Sequence, residues 1–290
     1  MAAISAAMVK QLRDRTGQAM MDCKKALTEA DGDMEKAVDL LRKKGMAVLE
    51  KRGGRETKEG RVISKIREDG KRAVLAMLCS ETDFTSKNDD FVQASELMTN
   101  AILNASVTPD SVEAVMGLDA GDGKTVGSVV NEIISKTGEK ITVGDFVCFE
   151  LTGSGKLYSY VHFNGKVGTL LQIDTADDAV AASGVVQTLA SDLAMHITAI
   201  NPESVTRDEV DPEAVARERE VAVSQVKDKP ANILDKIVAG KMNKWYQQIV
   251  LLEQPFVKDD KKTVTQLIDE VSKEAGGEIT VKCFRRLQIG

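Results

Sequence analysis

Few side chains in this sequence have the type and spacing for covalent chemistry. Histidine occurs twice, at His162 and His196, and neither accompanies a nucleophile motif. His196, in SDLAMHI, falls on the apolar stretch of a predicted helix, a setting that suits a hydrogen-bonded structural histidine better than an acid–base catalyst. The stretch GLDAGDGKT from Gly117 ends in Gly-Lys-Thr, as a phosphate-binding loop does. That loop needs four residues between its first glycine and the terminal Gly-Lys, whereas Gly117 to Gly123 leaves five, and the preceding VEAVMG reads as helix where a buried strand is required. A turn opening the helix VGSVVNEIISKTG is the simpler account. Cys23, Cys79, Cys148 and Cys283 are scattered with no CxxC, so reduced and mostly buried thiols are expected, not a zinc site or a disulfide framework. Hydrolase and NTPase are therefore poor readings, and no cofactor or metal is expected.

What remains is the chemistry of contact. Phe84 stands in a polar run, SETDFTSKN, just after a predicted strand, and a loop tip has no use of its own for a phenyl ring. Either the ring folds back on its own helix or a partner receives it. Asp83 beside it carries a carboxylate. Met20 and Met21 are adjacent in the connection before Cys23.

Helices must position the methionines. Cys23, Ala26, Leu27 and Ala30 fall at i, i+3, i+4, i+7, and Met34, Ala37, Val38 and Leu41 repeat the spacing. Ser5 is placed to start an earlier helix carrying Ile4, Met8 and Leu12; Asp33 is placed to cap the third helix and Gly45 to end it. A three-helix bundle over residues 1–52 follows. So small a core has no evident room for both methionines, which leaves one inside and one idle, or both in contact with a partner.

Hairpins must position the loops. RVISKIREDGKRAVLAMLCSETDF from Arg61 reads as strand, turn at Asp69-Gly70, strand and loop; LYSYVHFNGKVGTLLQIDTADD from Leu157 reads the same way with its turn at Asn164-Gly165. Each leads into a helix, from Phe91 and from Val185. The expected fold class is α+β: the bundle, then two related α+β subdomains over 53–142 and 143–200 with 242–290, interrupted by an antiparallel helical hairpin over 201–241. Asp211-Pro212 is a helix start and Lys229-Pro230 a break, with Val215, Ala222 and Val226 facing Ile233, Ile237 and Val238. A first arm of about 17 residues would reach on the order of 25 Å. Trp245, the only tryptophan, is expected to serve core packing.

Composition excludes some classes. A chain of 290 residues with a formal net charge of −6 is not built as a general nucleic-acid binder, whose affinity comes from cations meeting phosphates. The basic residues between Arg42 and Arg61 sit among Gly53, Gly54 and Gly60 with no aromatic stacking surface, as a solvated linker would. No run approaches the roughly 18 apolar residues of a membrane span, and a bacterial cytoplasmic location is expected.

Several of these strings resemble one family. LRDRTGQAMMDCKKALTEADGDMEKAVDLLRKKG from Leu12 to Gly45, SETDFTSKN from Ser80, YVHFNGKVG from Tyr160, LLEQPFVKD from Leu251 and the terminal ITVKCFRRLQIG are similar to the elongation factor Ts family, guanine-nucleotide exchange partners of the GTPase elongation factor Tu. The resemblance implies a ubiquitin-associated-like N-terminal module whose Arg13, Met20 and Met21 touch the GTPase. It also implies a loop, Thr82, Asp83, Phe84 and Thr85, that inserts beside the bound Mg²⁺ of elongation factor Tu, and a second contact to another of its domains through His162, Gly165 and Gly168. In the family a helical hairpin at this place can serve self-association, so a homodimer is a possible partner state. The sequence departs from the family pattern at Ala19, at Cys79, at Ser86 and at Thr85, where valine is usual, and it stops where some members add a helical module. A protein-interaction module with a different partner is the competing reading, since a bundle of this type binds many things.

Overall fold

The computed structural model describes residues 4–16, 18–226 and 231–290, and within them every side chain except those of residues 46, 48–51 and 231–233. The chain opens with three helices: α1 (Ala6–Thr16), α2 (Met20–Glu29) and α3 (Met34–Arg52). Ser5 Oγ accepts the Met8 N–H at 3.2 Å, and Asp33 Oδ1 accepts the N–H groups of Glu35 and Lys36, so both expected caps are formed. Leu12, Cys23, Ala26, Leu27 and Leu41 make the small core. Gly45 does not end a helix, contrary to the sequence expectation: α3 continues to Arg52. Its role is steric. A Cβ at Gly45 would stand 2.9 Å from the Asn131 carbonyl oxygen and collide with the Ser135 hydroxyl, because the helix crosses the body of the protein there.

That body begins with β1 (Glu59–Ile66) and β2 (Arg72–Ser80), followed by the one-turn α4 (Asp83–Ser86), then α5 (Asp89–Asn104) and α6 (Val112–Gly117). A short ladder, β3 (Asp119–Gly121) with β4 (Lys124–Thr125), leads into α7 (Val126–Thr137) and β5 (Ile141–Glu150). The sheet order is β1-β2-β5, antiparallel throughout. A second run has β6 (Gly155–Val161), β7 (Val167–Thr175), the one-turn α8 (Asp178–Ala181) and α9 (Gly184–Ile200). The hairpin helices α10 (Pro212–Ser224) and α11 (Ala231–Ile249) intervene. Next come the ladder β8 (Pro255–Phe256) with β9 (Asp259–Thr263), then α12 (Val264–Ala275) and β10 (Ile279–Gln288). This sheet has the order β10-β7-β6, also antiparallel.

The two runs are built alike down to individual hydrogen bonds. The Arg67 N–H donates to the Arg72 carbonyl, Gly70 N–H to Arg67 and Lys71 N–H to the Asp69 carboxylate; His162 to Val167, Gly165 to His162 and Lys166 to Asn164 repeat all three. Gly70 and Gly165 both sit at φ +68°, the left-handed turn position that favours glycine. A further correspondence is not evident from the sequence pattern. Lys124-Thr125-Val126 and Lys262-Thr263-Val264 each cap a helix through the threonine, and each lysine pairs with a glutamate eight positions on, Glu132 at 2.9 Å and Glu270 at 2.6 Å. GLDAGDGKT is thus a capped turn whose lysine is already neutralised.

Every residue of β2 is buried, because both its faces are covered. Val74, Ala76 and Leu78 meet Phe91, Met98, Ile102 and Ile134 of α5 and α7, while Leu75 and Met77 meet Leu157 and Leu170 of the other sheet and Ile289 just beyond β10. Leu171 and Ile173 meet Leu193, Ile197 and Ile268 of α9 and α12. In the hairpin, Asp211 caps α10 with Pro212 in its first turn, and the arm is 13 residues, shorter than expected. The second arm runs on to Ile249, so Trp245 packs inside the hairpin with Ala222, Val238 and Met242. Val215 and Val226 join that seam as anticipated; Lys229-Pro230 and the Ile233 side chain lie outside the described residues.

Candidate functional site

The Phe84 loop is short for a physical reason. Thr82 accepts the Thr85 N–H at 3.4 Å, and Ser86 Oγ donates to the Asp83 carbonyl, which closes a single helical turn. Thr85 and Ser86 are buried, so the turn's two remaining side chains, Asp83 and Phe84, must face outward. Phe84 is 83% exposed and does not fold back on its own helix. The Asp83 carboxylate accepts a hydrogen bond from Lys87 Nζ at 2.7 Å, and that bond holds its carboxyl below the ordinary aspartate range. Since Thr85 points inward, its departure from valine alters packing beneath the loop and leaves the outer surface unchanged. Cys79 is buried as well, and burial pushes its thiol up to about 11.

Charged residues to which the sequence reading gives no role anchor the loop. Glu139 accepts both the Thr82 hydroxyl at 2.8 Å and the Thr82 N–H at 3.2 Å. Glu81, whose side chain is 10% exposed, receives Arg52 and Arg55 at 2.8 Å and the Lys140 N–H at 2.7 Å. Desolvation opposes its ionisation, but those donors outweigh it and hold the carboxyl at about 2. Lys140 Nζ in turn donates to the carbonyls of Gly53 and Arg55. The stretch from Arg42 to Arg61, expected as a solvated linker, is instead helix as far as Arg52 and is tied to the base of the loop at Arg52, Gly53 and Arg55.

At the second turn, the His162 ring lies 4.4 Å from the Phe163 ring, and its Nδ1 hydrogen-bonds the Tyr160 hydroxyl at 2.9 Å. Gly165 and Gly168 are buried and shape the turn: the Gly165 carbonyl accepts the Val62 N–H of β1 at 2.8 Å, and a Cβ on Gly168 would press on Val62 at 3.0 Å. Lys166 forms an ion pair with Glu59, also on β1, and its carbonyl accepts the Ile289 N–H. One strand therefore joins both loops, since α4 also packs against β1.

Met20 and Met21 occupy the first turn of α2 and are 55% and 65% exposed. Neither fills the bundle core, which removes the arrangement with one inside. Arg13 pairs with Asp14 at 3.0 Å. His196 is fully buried: its Nδ1 accepts the Val257 N–H and its Nε2–H donates to Gln254 Oε1 at 2.8 Å. Burial lowers its pKa, so it is a neutral packing residue, as its place on an apolar helix face suggested.

Among the described residues no cluster of His, Cys, Asp and Glu could hold a metal ion, and no helix is long and apolar enough to cross a membrane. The fold is mixed α+β with N-terminal helices and antiparallel sheets, and among the described residues the most exposed large apolar side chains, Phe163, Phe84 and Val107, stand outside the strands and long helices. Over residues 81–290 the sequence matches the family described as Elongation factor TS. It is 41% identical to Elongation factor Ts of Trichlorobacter lovleyi, with 99% of this chain and 93% of that protein covered. It is also 41% identical to the Elongation factor Ts proteins of Desulfovibrio desulfuricans and Chloroherpeton thalassium, with 100% of this chain and 99% of each of those covered. These matches place the chain among the elongation factors of protein biosynthesis. It belongs to the elongation factor Ts family.

Proposed function

We propose that this chain is a guanine-nucleotide exchange factor that binds elongation factor Tu·GDP and promotes GDP release by disturbing the Mg²⁺ site of that GTPase. The observation that carries the reading is Phe84, a fully presented phenyl ring beside a carboxylate on a loop clamped at its root by Glu139 and Glu81. A rigid tip can transmit force to a partner; a floppy one yields. Phe84 wedges between side chains of the GTPase, and Asp83, exchanging Lys87 for new neighbours, perturbs the groups that position the ion. With Mg²⁺ displaced, the β-phosphate charge is uncompensated and GDP leaves faster. No covalent step is required. If the chain binds the empty GTPase more tightly than the GDP form, GDP weakens its binding by the same factor by which it weakens GDP binding.

The remaining surfaces divide the labour. The ubiquitin-associated-like bundle adds affinity through Arg13, Met20 and Met21. The two α+β runs are copies of one unit that grip separate domains of the partner, the second through the His162 turn. The α10–α11 hairpin serves self-association, and the chain works in the cytoplasm without nucleic acid or membrane. The deciding experiment is stopped-flow release of labelled GDP from elongation factor Tu: accelerated release with this chain supports the reading, and an unchanged rate at saturating chain refutes it.

A further inference from the structure

Phe163 is 92% exposed, the highest value for any large apolar side chain among the described residues. It is the second residue of the His162–Gly165 turn between β6 and β7. The β1–β2 turn provides an internal control, because the matching hydrogen bonds place Glu68 at the position equivalent to Phe163. Glu68 is exposed and charged, so this turn geometry does not need an apolar residue there. Nor does the fold: the ring's neighbour is the partly buried His162 ring at 4.4 Å, itself held by the Tyr160 hydroxyl.

The turn is held more firmly than a solvent-facing connection requires. Gly165 accepts from Val62, Lys166 accepts from Ile289, and the Lys166 side chain pairs with Glu59. These contacts leave the exposed ring on a fixed base, so little conformational freedom is lost when it is buried. Glu59 and Val62 belong to the part of β1 that pairs with the end of β2, where the Phe84 loop departs. The two exposed phenyl rings thus stand on supports joined through one strand.

We infer that Phe163 is a second aromatic anchor, which enters an apolar socket on the same partner as Phe84 and sets affinity where Phe84 sets the release rate. The inference rests on the exchange-factor reading above and names a residue and a role within it. A turn whose backbone is held to the strand that also supports the Phe84 loop presents the ring from a fixed base, so burying the ring orders little else.

The test titrates elongation factor Tu·GDP with the full-length chain and with Phe163→Ala and Phe163→Glu, the latter reproducing the residue of the first turn. Both variants are expected to need about tenfold or more protein for half-maximal GDP release, with the maximal rate and thermal midpoint unchanged. Variants that titrate like the unaltered chain overturn the anchor alone. A lowered thermal midpoint also overturns it, because the ring would then be structural. If the unaltered chain itself fails to accelerate release, the exchange reading falls and the anchor with it.

Discussion

Thr82 and Glu139 hold each other by two hydrogen bonds across 57 positions of sequence, the hydroxyl at 2.8 Å and the backbone N–H at 3.2 Å. The capping residue of the Phe84 turn is thereby fixed to the connection between α7 and β5. Replacing Glu139 with Ala removes the acceptor of both the Thr82 hydroxyl and the Thr82 N–H and is expected to cost about 1.5 to 3 kcal/mol of stability. The stimulated rate of GDP release should fall further than binding does, because the tip loses its backing. Urea denaturation beside the exchange assay checks both, and an unchanged maximal rate would show that the clamp has no mechanical role.

Phe84→Ala removes a ring that touches little of its own protein, so the thermal midpoint should hold; a core ring would cost about 3 to 5 kcal/mol. Binding to elongation factor Tu should persist while accelerated GDP release drops by about an order of magnitude or more, the equivalent of about 1.4 kcal/mol of coupling. Asp83→Ala should act in the same direction. The double variant should be non-additive if both residues work on one ion site.

Acid should weaken the fold in two stages. Burial places the His196 pKa below the usual 6.5, so the stability from its neutral form is complete above that value and declines as pH falls below it. Glu81, held at about 2 against an ordinary 4.5, contributes above pH 4.5 and loses its contribution as pH falls toward 2. Glu81→Gln should flatten the dependence in the lower window only. Equal slopes there for the two proteins would contradict the Arg52, Arg55 and Lys140 network.

Gly45→Ala sets helix propensity against packing. In an exposed helix the change stabilises by about 1 kcal/mol; here the new Cβ meets α7, and overpacking of this kind costs about 1 to 3 kcal/mol. A net loss is expected, read as a lower denaturation midpoint. A gain would mean that α3 does not cross α7 closely.

Met20 and Met21 are both exposed, so the double change to Ala should leave stability alone and weaken binding to elongation factor Tu, with the maximal exchange rate preserved. Isothermal titration together with the exchange assay separates the two. Binding equal to that of the unaltered chain would remove the bundle from the interface.

Features governed by near neighbours along the chain are legible in the sequence itself. Asp33, Ser5 and Asp211 cap because a side-chain oxygen reaches an N–H two or three residues on, and the Asp69-Gly70 and Asn164-Gly165 turns follow from local backbone geometry. Features governed by contacts between distant segments are not. Gly45 reads as a helix end because its real reason, Asn131 and Ser135, lies on another helix. Glu81 and Glu139 read as ordinary surface acids, and Phe163 is inconspicuous beside a histidine. The one available signal for Phe163 is the repeat itself, in which Glu68 occupies the equivalent place.

The hairpin of α10 and α11 stands between elements that the first run joins without it. Ser80 of β2 meets Ile141 of β5, whereas Thr175 of β7 must find Ile279 of β10 across a longer stretch that includes the hairpin. The loop to be closed is less than doubled, so the added closure entropy is only about 0.5 kcal/mol. Its seam of Ala222, Val238 and Met242 gives the insertion packing contacts of its own. Lengthening or shortening such a segment therefore changes the closure cost little and leaves the loops on β1 their geometry.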